Sequence, residues 1–223
     1  MSVLSLPTPA SSSAVAAAFA PGSRRLALPG RPADRATLAH HLAVLPLPAR
    51  TFALVTGNAP GELPADALLV RWVAVRLRSI CGRIVAGESS SGPFRPEVAG
   101  LVSLGADLAP DGEQILVGAG AAARRLAAWR LVPDASVAAF SSAIAGLALP
   151  GLSEAGRRAL EDAARGGFPA ALASLVELLG VADAEDGALK EAVKRLAPGG
   201  SRPGADALAG VVAVVRDVAL GLG

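Results

Sequence analysis

The chain has 223 residues, of which 52% are hydrophobic and 18% charged, with a formal net charge of +2. Apolar content this high excludes a disordered chain and can fill a substantial core, in one large domain or two small ones. The basic residues come as separate pairs, Arg24-Arg25, Arg124-Arg125 and Arg157-Arg158, and aromatics are only 3% with no Tyr, so a stacking surface for nucleic acid is not expected.

In chain order, residues 1–12 read as a flexible lead-in, and Ser13 to Ala20 as a short helix ending before Pro21. Arg24 to Leu28 is a strand candidate closed by Pro29-Gly30, and Asp34 can cap a helix through Arg35 to Leu42. Arg50 to Thr56, with Phe52, Leu54 and Val55, reads as a strand entering the turn Gly57-Asn58-Ala59-Pro60-Gly61. In Ala67 to Arg78, Leu69, Arg71, Val73 and Val75 alternate against Val70, Trp72, Ala74 and Arg76, the pattern of a strand covered on both faces. Trp72 is then a sheet-packing residue, and Cys81 to Ala86 adds a further strand. Residues 13–92 are therefore expected to be β-rich, as a small sheet or barrel.

Glu88 to Phe94 forms a polar connection whose serines and glycine either face an anion or simply make a loop. Gly87-Glu88-Ser89 lacks the second glycine of a nucleophile elbow and has no His base near it, so serine-hydrolase chemistry is not expected. The single Cys81, beside Ile80 and Val85, excludes a disulfide framework and fits a reducing compartment. His40 and His41 have no Cys-rich segment beside them, which argues against zinc. The best membrane-span candidate, Ala205 to Gly223, contains Asp206, Arg216 and Asp217, and the N-terminus lacks the early basic residues of a signal peptide. A soluble, cytoplasmic protein is expected.

Beyond Leu101 the chain reads as helical. Ile115, Leu116, Ala119, Ala122, Leu126 and Trp129 recur at helical spacing after a loop built on Gly105, Pro110 and Gly112. Asp134 is a cap candidate for a helix carrying Val137, Phe140, Ile144 and Leu147, stopped by Pro150-Gly151. Ser153 can cap Glu154 to Ala164, Gly166-Gly167 breaks the chain, and Pro169 suits the first turn of the next helix, which Gly180 ends. Ala184 to Leu196 and a last helix after Pro203 bring the count to about six. The fold class expected is α+β: a β-rich N-terminal half packed against a C-terminal α-helical bundle over 93–223, as two regions or one integrated domain.

Two stretches echo each other. Pro110-Asp111-Gly112-Glu113-Gln114-Ile115-Leu116-Val117-Gly118 matches Pro203-Gly204-Ala205-Asp206-Ala207-Leu208-Ala209-Gly210 at Gly112 and Gly204, Leu116 and Leu208, and Gly118 and Gly210. Each couples a flexible turn to a helix with an acid near its start. Acids there are favoured by the helix dipole, so the pattern has an architectural explanation beside a ligand-binding one. Gly118 and Ala122 form a small-residue ridge that lets another helix approach.

Both stretches, in this order, resemble the bacterial family containing the AllH subunit of oxamate carbamoyltransferase. Members carry a loop of the form Gly-Leu-Thr-Pro-x-Gly-Asp-Asp and, near the C-terminus, one like Thr-Ser-Gly-x-Asp-x-x-x-Gly. Leu108, Pro110, Gly112, Leu116 and Gly118 stand in the first pattern, while Asp107, Ala109 and Glu113-Gln114 replace its Gly, Thr and acidic pair. Gly204, Asp206 and Gly210 keep the second, with Arg202 and Pro203 in place of Thr and Ser.

The resemblance implies a subunit related to carbamoyl transfer on small nitrogenous acids such as oxamate, with a degenerate site. Its ligand-binding candidates are Gly112, Glu113, Gln114, Arg202, Gly204 and Asp206, which would face a small anionic substrate. Glu113 and Asp206 are the candidates for Mg²⁺, if the two turns converge. Arg202 would neutralise a carboxylate or phosphate by a two-pronged contact. The alternative is a non-catalytic accessory or interaction subunit, with protein partner subunits and no nucleic acid or membrane partner.

Overall fold

The computed structural model describes residues 24–25, 32–58, 64–103, 111–147 and 152–222. Helix α1 (Arg35–Val44) starts where Asp34 accepts the Thr37 N–H at 2.8 Å. Helix α2 (Ala49–Thr56) ends at Gly57, whose φ of 78° lets its N–H reach the Ala53 carbonyl. Helix α3 (Pro64–Ala86) is the longest among the described residues, followed by a single 3₁₀ turn at Gly92–Phe94 and by α4 (Arg95–Val102). Then come α5 (Gly112–Ala128), α6 (Asp134–Ala145) and α7 (Glu154–Arg165). Helices α8 (Ala170–Leu179), α9 (Asp186–Leu196) and α10 (Arg202–Leu220) complete the chain, with a 3₁₀ turn at Pro198–Gly200 before α10. Two-residue strands, β1 (Arg24–Arg25) and β2 (Gly167–Phe168), pair antiparallel.

The molecule is mostly helical, which corrects the α+β expectation: the β-rich half over 13–92 is not a sheet or barrel among the described residues. Ala67 to Arg78 and Cys81 to Ala86 lie in one helix, α3. Its buried residues Val70, Val73, Ala74, Leu77, Ile80, Cys81 and Ile84 follow helical spacing, and the alternation seen over a shorter window is compatible with either period. Length decides, because 23 residues far exceed an ordinary strand. Arg50 to Thr56 is likewise helical, as α2; its β-branched Thr51 and Val55 look strand-like but are buried by tertiary packing.

The helical half matches its reading, with six helices among the described residues from Gly112 onward. Ser153 caps α7 through the Gly156 N–H, and Gly166 closes it at a φ of 88°. Asp134 is the first helical residue of α6, with Pro133 in the cap position, and Pro169 likewise precedes α8 at its cap. The lead-in over 1–12, the helix at Ser13–Ala20, the part of the Arg24–Leu28 strand beyond Arg25, the Pro150-Gly151 stop and the loop from Gly105 to Pro110 lie outside the described residues. Among the described residues no helix is long and apolar enough to cross a membrane.

Helices α5 and α10 form the centre. Fourteen of 17 residues in α5 and 14 of 19 in α10 are buried, so both are apolar nearly all round and are wrapped by the other helices. With few aromatics, their faces are Ala, Gly and Val, and such helices can pack at short range. A Cβ on Gly118 would lie 1.9 Å from the Ala207 carbonyl oxygen, and one on Gly210 would lie 2.0 Å from that of Ile115. The same offset along the chain relates Gly118 to Gly210 and Ile115 to Ala207. The two echoing stretches therefore make one reciprocal, pseudo-two-fold crossing.

Candidate functional site

The crossing brings the starts of α5 and α10 together. Asp206, in the second turn of α10, is fully buried. Its Oδ1 accepts from Arg50 Nε at 2.6 Å, and its Oδ2 from Arg50 Nη2 at 3.0 Å. Oδ2 also accepts the Asp111 backbone N–H at 2.8 Å. A carboxylate without exposure needs partners of this kind, since an unpaired buried charge is strongly disfavoured. Beside it, the Thr51 hydroxyl donates to the Ala205 carbonyl at 2.8 Å. Arg50 and Thr51 thus fasten the first turn of α2 to α10, and Asp206 fastens the start of α5 to both.

Asp111 is the N-cap of α5, accepting the Gln114 N–H at 3.1 Å. Burial raises its carboxyl above the usual range, the bond from Gln114 opposes this, and nearby Asp206 adds to it. Glu113 is 9% exposed and faces α7: a Cβ on Gly156 would lie 1.6 Å from its Oε2. Burial, aided by Asp111, pushes the Glu113 carboxyl up to about 7.

Gln114 Oε1 is buried and has no hydrogen-bond partner among the described residues. The pseudo-two-fold relation gives a reason. Gln114 is the counterpart of Asp206, and the counterpart of the donor Asp111 is Pro203, which has no N–H to give.

The two glycines proposed to admit a ligand instead admit backbone. A Cβ on Gly112 would lie 2.0 Å from the Leu101 carbonyl oxygen at the end of α4, and one on Gly204 2.1 Å from the Leu196 carbonyl oxygen at the end of α9. Arg202 is exposed in the first turn of α10. Of the six sequence candidates, Asp206 meets the other turn through Asp111, while Glu113 turns to α7. Among the described residues no group of three or more His, Cys, Asp and Glu could hold a metal ion. Asp206, bound by a guanidinium on both oxygens, is a poor ligand for Mg²⁺.

Arg50 and Thr51 were not singled out by the sequence. The available signal was Asp206 itself, an acid followed by a long apolar run that demands a buried cation. Which of the many arginines answers it depends on how α2 packs.

The raised Glu113 carboxyl gives a measurable pH dependence. The unfolded chain ionises this group near 4.5, whereas the folded chain holds its proton to about 7. Below 4.5 both states are protonated and the group costs nothing. Between the two values the folded state binds more protons, so stability falls as pH rises. Glu113→Gln is expected to remove that slope. The variant should gain on the wild type from pH 4.5 to 8, by at most about 3 kcal/mol, in urea titrations across that range. A constant difference across the range would show that burial does not hold this proton.

Comparison with family models, curated proteins and solved structures gives no match to the chain.

Proposed function

We propose that the chain is an AllH-like subunit with a degenerate site, an accessory subunit related to carbamoyl transfer on small nitrogenous acids such as oxamate rather than the catalyst. The observation that carries this reading is the state of Asp206. The acid that the resemblance would assign to a ligand is fully buried and has both oxygens engaged by Arg50 and by the Asp111 N–H.

The remaining candidates support the same reading. Gly112 and Gly204 fit neighbouring backbone carbonyls, Gln114 has no charge to offer, and Glu113 rests on Gly156. What survives of the motifs is the frame: two turns, four close-approach glycines and one ion pair.

Isothermal calorimetry tests it. Titration with Mg²⁺, alone and in the presence of carbamoyl phosphate, is expected to give no heat above the buffer blank. A saturable Mg²⁺-dependent heat that Glu113→Gln abolishes would overturn the degenerate-site reading.

A further inference from the structure

Helix α3 presents an outward stripe that the other described residues leave open. Leu68, Arg71, Val75 and Arg78 are exposed at helical spacing, with Leu68 at 68% and Val75 at 61%. Phe52, on the neighbouring α2, is 50% exposed. Among the described residues, three of the five large exposed hydrophobics therefore lie on this helix pair. Single exposed apolar residues need no explanation, but a set repeated along one face of a helix does.

Beside the stripe runs a groove of about 390 Å³ between α3 and α4, lined by Arg71, Trp72, Val75, Arg76 and Glu97. The Arg76 guanidinium lies 4.0 Å from the centre of the Trp72 ring. It is also held by Glu97 Oε2 at 2.9 Å and lies so close to Gly100 that a Cβ there would be 2.6 Å from its Cζ. Ser79 donates to the other Glu97 oxygen at 3.2 Å. Trp and Arg dominate binding energies at protein interfaces, and side chains already fixed lose little freedom on binding.

The charges say what fits. From Pro64 to Ala86 α3 carries Arg71, Arg76, Arg78 and Arg83 against a single acid, Asp66 in its first turn, and α2 carries no acid. Arg76 is paired within the fold. Arg71 and Arg78 are exposed and have no acidic partner among the described residues. They are two helical turns apart, about 10 Å along the axis. A second copy would bring like charges together, and the chain's first 33 residues contain no acid to match them. A flat anionic bilayer matches poorly as well, because Glu97 lines the groove.

We propose that this face docks an acidic amphipathic helix of a partner protein, with apolar side chains on Leu68, Val75 and Trp72 and carboxylates about two turns apart on Arg71 and Arg78. This deepens the accessory-subunit reading and rests on it only for the existence of a partner.

The test uses the full chain and a synthetic helical peptide with Leu along one face and Glu at i and i+7 beside it. A second peptide with Lys for Glu is the control. By fluorescence anisotropy the Glu peptide should bind at least about tenfold more tightly than the Lys peptide, since complementary charges set partner choice. Arg71→Glu with Arg78→Glu should reverse that preference, and Leu68→Asp with Val75→Asp should abolish binding of both. All four positions are exposed, so these variants should keep the wild-type melting transition. Absence of binding, or equal binding of both peptides, would overturn the proposal. So would a dimer in sedimentation, or flotation with phosphatidylserine vesicles, if Leu68→Asp with Val75→Asp removed it. These readouts are independent of the Mg²⁺ calorimetry, so either result can fail while the other stands.

Discussion

Gly118→Ala and Gly210→Ala are each expected to destabilise the protein by about 1–3 kcal/mol, against the usual sign of the substitution. In a helix interior, replacing Gly with Ala ordinarily gains up to about 1 kcal/mol. Here the added methyl meets backbone: the Ala207 carbonyl oxygen at 1.9 Å in one case, and the Ile115 carbonyl oxygen at 2.0 Å with the Ala119 nitrogen at 2.6 Å in the other. No side-chain rotation relieves such a contact, so α5 and α10 must separate. Separation of the two most buried helices loosens the Ala and Val contacts along their whole crossing. Gly82→Ala, inside α3 with nothing within 4 Å of the new methyl, is the control and should stabilise by about 0.5–1 kcal/mol. The double variant Gly118→Ala with Gly210→Ala should cost less than the two single losses combined. The two clashes are reciprocal, and one displacement relieves both. Equilibrium urea unfolding, with midpoints compared at unchanged slope, reads all four. If Gly118→Ala stabilised as Gly82→Ala does, the helices would not approach as described.

This crossing was the most legible part of the fold. Gly118, with Ala122, was read as a small-residue ridge that admits another helix, and caps such as Asp34 and Ser153 stood where local chemistry puts them. The N-terminal half was misread for a physical reason. Val, Trp and Arg in α3 satisfy a two-residue period over a short window, and the helical one emerges only over a longer window, in the buried set from Val70 to Ile84 and in the outward stripe of Leu68, Arg71, Val75 and Arg78. Half of that stripe is apolar, so polarity could not mark the exposed face. At the candidate site, the sequence offered Asp206 as a partner of Glu113 if the two turns converged, whereas Asp206 is met by the Asp111 N–H and by Arg50. The pairing joins residues 156 positions apart, and nothing local to either announces it. Gly112 and Gly204 were read as ligand-binding positions, and the group that each meets is the carbonyl of Leu101 or Leu196.

Arg50→Ala is the second large effect, an expected loss of about 3–5 kcal/mol. It leaves Asp206, with no exposure, holding a charge answered only by the Asp111 N–H. The intact pair need not contribute that much to stability, since desolvation offsets much of its attraction; the loss comes from stranding one partner. The distinction is testable. Arg50→Ala with Asp206→Asn should recover part of the loss, because a neutral amide costs less to bury and its oxygen can still accept the Asp111 N–H. Removal of the exposed Glu154–Arg158 pair on α7 supplies the scale, with an expected change within about 0.5 kcal/mol. A loss that small at Arg50 would mean that Asp206 is hydrated rather than clamped, and the acid would again be available to a ligand.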